Sequence, residues 1–559
     1  MSKKVLIVGG VAGGASAAAR LRRLDEQAEI IIFERGEHIS FANCGLPYYL
    51  GGTIREREKL LVQTPRGMKE RFAIEVRTNS EVTRIYPQQK EIEVREQSGR
   101  TYRERYDYLI LSPGAAPVRP PIPGVEAENV FAIRNIPDID NIKGFVDAFK
   151  PASAVVVGGG FIGLEMAENL SIRDIKTTIV EMQEQLLPPL DYEMAALLQR
   201  HLRAKGVDLV LKDGVKAFEQ DSNNRVKGVV LQSGRVVPTD LVVMAIGVRP
   251  EVHLAREAGL AIGSSGGIKV NQQLQTSEPD IYAIGDAIEV QDLVTGAGTV
   301  IPLAGPANKQ GRLVADIIAG RPGKYEGSQG TAIVKVFDLV AASTGASEKS
   351  LRKAGIAYKA SYTHSGSHAA YYPGATTMAI KVIFDPKDGR ILGAQVVGSE
   401  GVDKRIDVLA AALRRGDTVF DLQELELAYA PPFSSAKDPV NMAGYVAGNI
   451  IAGDVAVIHW QQIAGLDPQK SVIVDVRTRG EYQRGHIDNA LNIPVDEIRR
   501  RLAEFPRDKE IILYCQIGLR AYLAYRILAQ NGFKRVKNLS GGWRTYQPAV
   551  EEQKLLQQG

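Results

Sequence analysis

Cysteine is almost missing from this chain. Its 559 residues include only two, Cys44 and Cys515. That number excludes a disulfide framework and suits a reducing, cytoplasmic setting. Long apolar runs are missing as well: no 18-residue apolar stretch occurs, so no membrane span is expected. The apolar run in the opening MSKKVLIVGG is too short for the core of a signal peptide and reads better as a buried strand. Neither sign of charge dominates. Lys and Arg number 69 against 65 Asp and Glu, a net +4, and no long basic run points to nucleic acid. Only seven histidines are present and none falls in residues 1–37. His364 and His368 are spaced i,i+4, but no further His or Cys lies nearby. No metal site is expected there, and both read as surface or substrate-pocket residues.

Glycine is plentiful, and two of its clusters organise the chain. KKVLIVGGVAGGASAAARLRRL runs from a strand through a glycine turn into an Ala-rich helix, and EIIIFER follows as a strand ending at Glu34. The same grammar returns in ASAVVVGGGFIGLEMAENL and KTTIVEM, ending at Glu181. This is duplication of a nucleotide-binding half-domain. SPGAAPVRPPIPG (112–124) and LVVMAIGVRPE (241–251) read as crossovers between the two copies. TSEPDIYAIGDAIEV reads as a strand ending at Gly285-Asp286. After about residue 325 alternating strands and helices suggest an α+β domain, and AGNIIAGD (447–454) a linker to a small final α/β domain.

Gly158-Gly159-Gly160-Phe161-Ile162-Gly163 is a full G-x-G-x-x-G between strand and helix. Gly158 permits the tight turn, Gly160 lets a pyrophosphate approach the helix end, and Gly163 lets helix and strand pack closely. Glu181, 18 residues after Gly163, can accept from a ribose 2′-hydroxyl and would repel a 2′-phosphate, which favours NADH. In the first copy Gly9 and Gly14 hold the outer positions but Val11 takes the third, and Glu34 lies 20 residues after Gly14. Asp286 can accept from a flavin's ribityl chain.

With these motifs the chain up to residue 450 resembles the pyridine nucleotide–disulfide oxidoreductases. The resemblance implies an α/β architecture of two Rossmann-like dinucleotide-binding domains, for FAD and NADH, followed by an α+β dimerisation domain. FAD would occupy 1–115 and 246–324, NADH 116–245, and the dimerisation domain 325–450. It assigns FAD to Gly9, Gly10, Ala12, Gly13, Gly14, Glu34, Arg35, Gly114, Gly285, Asp286, Leu303 and Ala304. It assigns NADH to Gly158, Gly160, Phe161, Ile162, Gly163 and Glu181.

In SFANCGLPYYL no second cysteine follows Cys44, so an internal dithiol is impossible. The stretch resembles the single-cysteine branch of the family: NADH oxidases, NADH peroxidases and coenzyme A disulfide reductases. A helix opening at CGLPYYL would lower the pKa of Cys44 through its dipole. HAAYYPG and YAPPFSSAKDPVN resemble segments of the coenzyme A branch. There Tyr371, with Tyr372 as its neighbour, and Tyr429 would face the cysteine across a homodimer interface. The same resemblance places coenzyme A phosphates at Arg20, Arg23 and Lys437, and pantetheine at Ser40 and Asn43. Asn308 departs from it, standing where some of these reductases have a substrate-contacting histidine.

VIVDVRTRGEYQRGHIDNALNIP and IILYCQIGLRAY, within 455–559, resemble a rhodanese domain. That implies sulfane-sulfur transfer through a Cys515 persulfide, in a loop closed by Arg520. The whole then reads as an FAD-dependent, NADH-driven reductase of coenzyme A disulfide, coenzyme A persulfide or polysulfide, with small-molecule thiols as partners. An NADH oxidase or peroxidase cycling Cys44 through sulfenic acid is the alternative. A flavin-binding redox sensor is a third reading.

Overall fold

Val5, Leu6 and Ile7 have no exposed side-chain surface in the computed structural model, which describes residues 2–558. Their β-branched and leucine run is what a strand covered on both faces requires. Contacts divide the chain into two compact units. The first is Met1–Met182 with Asp213–Gly330; the second is Gln183–Lys212 with Thr331–Gly559.

The first unit holds two parallel sheets. One runs Ile281–Ala283, Tyr108–Leu111, Lys4–Val8, Glu29–Phe33, Glu75–Arg77. In the other, Lys176–Glu181, Ser153–Val157, Leu241–Met244 and Val130–Ala132 are successive neighbours. The helices Ala12–Arg22 and Phe161–Ile172 follow the two glycine turns. The two Pro-rich crossovers pair with each other, Val248–Pro250 lying antiparallel to Ala115–Pro117. Pro117 and Pro250 are tolerated because this two-stranded ribbon is all edge.

The second unit contains a five-stranded antiparallel sheet in the order Ala332–Val336, Leu339–Gly345, Ile391–Gly398, Thr377–Phe384, Lys359–Gly366. It also contains a five-stranded parallel sheet with Glu510–Tyr514 at its centre. Tyr514 at the end of that strand is fully buried. Residues 447–454 are not the expected linker, because the helix Pro439–Ile451 runs through most of them.

Candidate active site

Apart from Leu303 and Ala304, which open the helix Ala304–Ile318, the residues expected to hold FAD follow strands of the first sheet. Gly9–Gly14 follow Lys4–Val8, Glu34 follows Glu29–Phe33, Gly114 comes after Tyr108–Leu111, and Gly285-Asp286 come after Ile281–Ala283. The strands are parallel neighbours, so these residues gather at one carboxyl edge, where open α/β sheets bind ligands. In the second sheet Gly158–Gly163 and Glu181 gather in the same way.

The glycines serve two different purposes. A Cβ on Gly14 would stand 1.9 Å from the Gly9 carbonyl oxygen, and one on Gly163 would stand 1.9 Å from that of Gly158. These two residues let helix and strand touch. A Cβ on Gly160 would meet nothing within 4 Å, so protein packing does not demand glycine there. The position keeps space open beside a helix N-terminus that has no side-chain cap. The helices starting at Ala12 and Ala304 likewise have no side-chain cap. Free N–H groups at three helix starts, with Glu34 and Glu181 at strand ends, fit the phosphates and riboses of two dinucleotides. Each carboxylate also fixes its own loop. Glu34 accepts from Gly10 and Gly36 N–H at 3.0 and 2.9 Å, and Glu181 accepts from Gly159 N–H at 2.8 Å.

Cys44 is solvent-exposed and sits in the 3₁₀ turn Asn43–Gly45, before the five-residue helix Leu46–Leu50. The expected dipole effect does not prevail. Partial desolvation, then the charges of Glu165 and Asp286, push the thiol up. Glu165 lies on Phe161–Ile172, one turn past the second glycine loop, and accepts a 3.3 Å hydrogen bond from Tyr48. Burial, reinforced by Glu168, raises the Glu165 carboxyl to about 7. Burial first, then Glu165, raises the Tyr48 phenol to about 12. Burial also raises Asp286, with Arg134 opposing. The cysteine thus lies within electrostatic reach of a carboxyl that titrates near neutrality. The sequence reading missed Glu165 and Tyr48, although Tyr48 stands in the CGLPYYL stretch itself.

Of the expected coenzyme A contacts, Arg23 is exposed, but Arg20 donates to Asp316 at 3.0 and 2.7 Å and is partly neutralised. Ser40 has φ +44°, held by its N–H to Gly10 and its carbonyl to Val62. Asn43 reaches the Arg134 carbonyl at 3.4 Å. In the second unit Lys437 is exposed beside Asp438, which caps Pro439–Ile451. The Tyr371 and Tyr429 hydroxyls share a 2.7 Å hydrogen bond, whereas Tyr372 packs on His368 with ring centroids 5.7 Å apart. Both tyrosines of the pair are exposed, 75% and 47%. His368 is buried rather than on the surface: Ser367 and the Pro373 carbonyl satisfy its ring nitrogens.

Cys515 sits fully buried where the central strand Glu510–Tyr514 ends. Gly518 N–H points at its Sγ from 3.1 Å, in a loop that turns at Gly518, φ +104°, into the helix Leu519–Gln530. Arg520, expected to close the loop, bonds to an acid outside it. Both its terminal nitrogens donate to Glu481 at 2.7 Å, which holds that carboxyl down to about 2. Glu481 belongs to a capping box with Thr478, and the T-x-x-E spacing in the sequence could have marked it. Arg477 braces the loop from below, pairing with Asp475 and reaching Gln516 at 3.3 Å. The three buried carboxylates Asp191, Glu193 and Glu348 come close enough for an ion, but the Lys381 Nζ sits among them at 2.8, 2.5 and 2.6 Å.

Comparison with known proteins agrees with this geometry. The family profile of pyridine nucleotide-disulphide oxidoreductases matches residues 3–311, and that of their dimerisation domain matches 331–439. The rhodanese-like domain profile matches 460–549. Coenzyme A disulfide reductase of Staphylococcus haemolyticus is 36% identical over 450 residues, 80% of this chain and 100% of that protein. The crystal structure of reduced Bacillus anthracis CoADR-RHD superposes with a TM-score of 0.96 at 53% identity, covering 99% of each chain. A NAD-dependent persulfide reductase from A. fulgidus superposes at 0.91 with 39% identity, covering 97% of this chain and all of the other.

Proposed function

The chain belongs to the pyridine nucleotide-disulphide oxidoreductases and carries a rhodanese-like domain, and from that premise we propose that it reduces coenzyme A disulfide, coenzyme A persulfide or polysulfide with NADH. When bound, FAD supplies the two-electron relay from NADH to sulfur. Gly9–Gly14, Glu34, Arg35, Gly114, Asp286, Leu303 and Ala304 hold it; Gly158–Gly163 and Glu181 hold NADH. The division into FAD, NADH, dimerisation and rhodanese domains at the boundaries given above belongs to this reading.

The observation that carries the proposal is a single exposed thiol under the charges of Glu165 and Asp286, with Tyr48 bonded to Glu165. Cys44 is the only cysteine of its own unit among the described residues, and Cys515 belongs to the other, so this reading takes the sulfur that pairs with Cys44 from a small molecule. The Cys44 thiolate attacks a sulfur of coenzyme A disulfide; the S–S bond breaks, Cys44–S–S–CoA forms, and one coenzyme A thiolate leaves. With coenzyme A persulfide the attack falls on the inner sulfur and hydrosulfide leaves. Two electrons from NADH then open the mixed disulfide, restoring the Cys44 thiolate and releasing coenzyme A thiolate, while NADH becomes NAD⁺. Glu165, titrating near 7 beside the thiol, can take up or release a proton during this cycle. Tyr371 and Tyr429, on a homodimer partner, assist the leaving thiolate. Arg20, Arg23, Ser40, Asn43 and Lys437 bind coenzyme A. Cys515 carries sulfane sulfur, with Arg520 set by Glu481.

The test is NADH oxidation with coenzyme A disulfide, coenzyme A persulfide, polysulfide and O2 side by side. Cys44→Ser is expected to abolish the sulfur-dependent rates, and Cys515→Ser to spare reduction of coenzyme A disulfide. A Cys44→Ser enzyme with full persulfide-dependent turnover would sink the mechanism. Fast turnover with O2 alone would favour the oxidase reading.

A further inference from the structure

The cavity over Cys515 has two walls, and the rhodanese-like region supplies only one. It measures about 330 Å³ and is lined by Cys515, Arg520 and Arg544 on one side and His364, Gly366 and Thr377 on the other. The second wall is the end of the antiparallel pair Lys359–Gly366 and Thr377–Phe384, whose ladder closes at Gly366↔Thr377. That hairpin belongs to the dimerisation region.

The two arginines are not equivalent. Arg520 is paired with Glu481 through two hydrogen bonds and also acts on the Cys515 sulfur. Arg544 is exposed, and among the described residues no carboxylate pairs with it. Its backbone N–H donates to the Gln516 carbonyl at 3.0 Å, which ties it to the Cys515 loop. Its charge reaches across to His364. Burial and Arg544 hold that imidazole down to about 3, so it stays neutral and bonded to Thr545 at 2.8 Å. The cleft therefore presents, besides the acid-paired Arg520, one guanidinium without an acid partner in the same lining as a sulfur that faces the Gly518 N–H. Sulfur transfer to a thiolate brings two anions together, and an unpaired guanidinium relieves their repulsion better than one already paired. A volume near the lower end for ligand pockets is enough for a small anion such as thiosulfate.

We propose that Arg544 is the anion-binding residue of a two-walled cleft that presents small anionic sulfane-sulfur donors to Cys515. This rests on reading Cys515 as the sulfur-transfer thiol. With thiosulfate as donor, the Cys515 thiolate attacks the outer sulfur. The thiosulfate S–S bond breaks, a Cys515–S–S⁻ bond forms, and sulfite leaves with the electron pair. The total charge is three minus before and after.

The experiment uses the full-length protein, thiosulfate and cyanide, with thiocyanate as readout. Arg544→Gln is expected to raise KM for thiosulfate about tenfold with kcat little changed, and Arg544→Lys to recover most of the loss. A KM within about twofold of wild type would overturn the proposal. Thr377→Trp, which fills the second wall, is expected to lower kcat/KM about tenfold; an unchanged value would remove that wall from the site. Thermal unfolding and flavin content serve as fold controls. Alkylation of Cys515 by iodoacetate against iodoacetamide, read by peptide mass spectrometry, needs no turnover. The anionic reagent's advantage should fall about fivefold in Arg544→Gln. An unchanged ratio, or no labelling of Cys515 by either reagent, overturns the proposal. If wild type makes no thiocyanate while the ratio falls, the sulfur-transfer reading fails and the anion site stands.

Discussion

A cysteine's reactivity is set by what surrounds its sulfur, and at Cys44 the surroundings oppose the thiolate. Desolvation comes first, then the negative charges of Glu165 and Asp286. Glu165 itself titrates at about 7, so its effect on Cys44 switches on as pH rises through neutrality and is absent well below it. Glu165→Gln removes that charge and lowers the thiol pKa. Alkylation of Cys44 by iodoacetamide is expected to be about three- to tenfold faster than wild type at pH 8 and nearly unchanged at pH 5.5. Equal rates at both pH values would show that Glu165 does not act on the sulfur. The lone cysteine was legible in SFANCGLPYYL because nothing near it in sequence can pair with it. Its electrostatics were not, because Glu165 lies more than a hundred residues away in the chain.

At the scale of the strand–turn–helix element, two glycines of one loop separate stability from binding. Gly163→Ala drives a methyl group into the Gly158 carbonyl at 1.9 Å. It is expected to cost about 1–3 kcal/mol and to lower the thermal midpoint. Gly160→Ala meets no protein atom, so the midpoint should hold while KM for NADH rises about tenfold or more. A Gly160→Ala protein with unchanged KM would mean that the pyrophosphate does not approach this loop. The spacing of the G-x-G-x-x-G made both roles legible beforehand, since each glycine has a fixed place between strand and helix. The 447–454 stretch misled. It read as a linker, yet the helix Pro439–Ile451 runs through most of it, with Ala447, Gly448 and Ile450 buried.

At the scale of the whole molecule, a buried charge cluster orders the second unit. Lys381 is fully buried among Asp191, Glu193 and Glu348, and Trp460 donates to Glu193 at 3.1 Å. Segments far apart in sequence, including the start of the rhodanese-like region, thus converge on one lysine. Lys381→Met leaves three buried carboxylates without their cation and is expected to destabilise this unit by about 3–5 kcal/mol, read as a lower thermal midpoint. The pH dependence has a definite sign. Glu348 is held at about 2, with Lys381 the main cause opposing its burial. Its contribution is present above the ordinary carboxylate range near 4.5 and is lost as pH falls towards 2. A Lys381→Met protein as stable as wild type at pH 7 would contradict this account.

Sequence by itself determined what depends on local spacing. The two glycine turns with their distant glutamates, the isolated Cys44, and the strand-to-loop delivery of Cys515 each lie within a few dozen residues, where chain geometry alone fixes which atoms can meet. Only the tertiary structure decided what depends on charge brought together from afar. It put Glu165 beside Cys44, spent Arg20 on Asp316 and Arg520 on Glu481, and left Arg544 uncompensated over Cys515. The physical reason is that an ionisable group's behaviour follows its burial and its nearest charges. Those neighbours come from elements that the sequence separates by as little as 39 residues, for Glu481 and Arg520, and as much as 296, for Arg20 and Asp316.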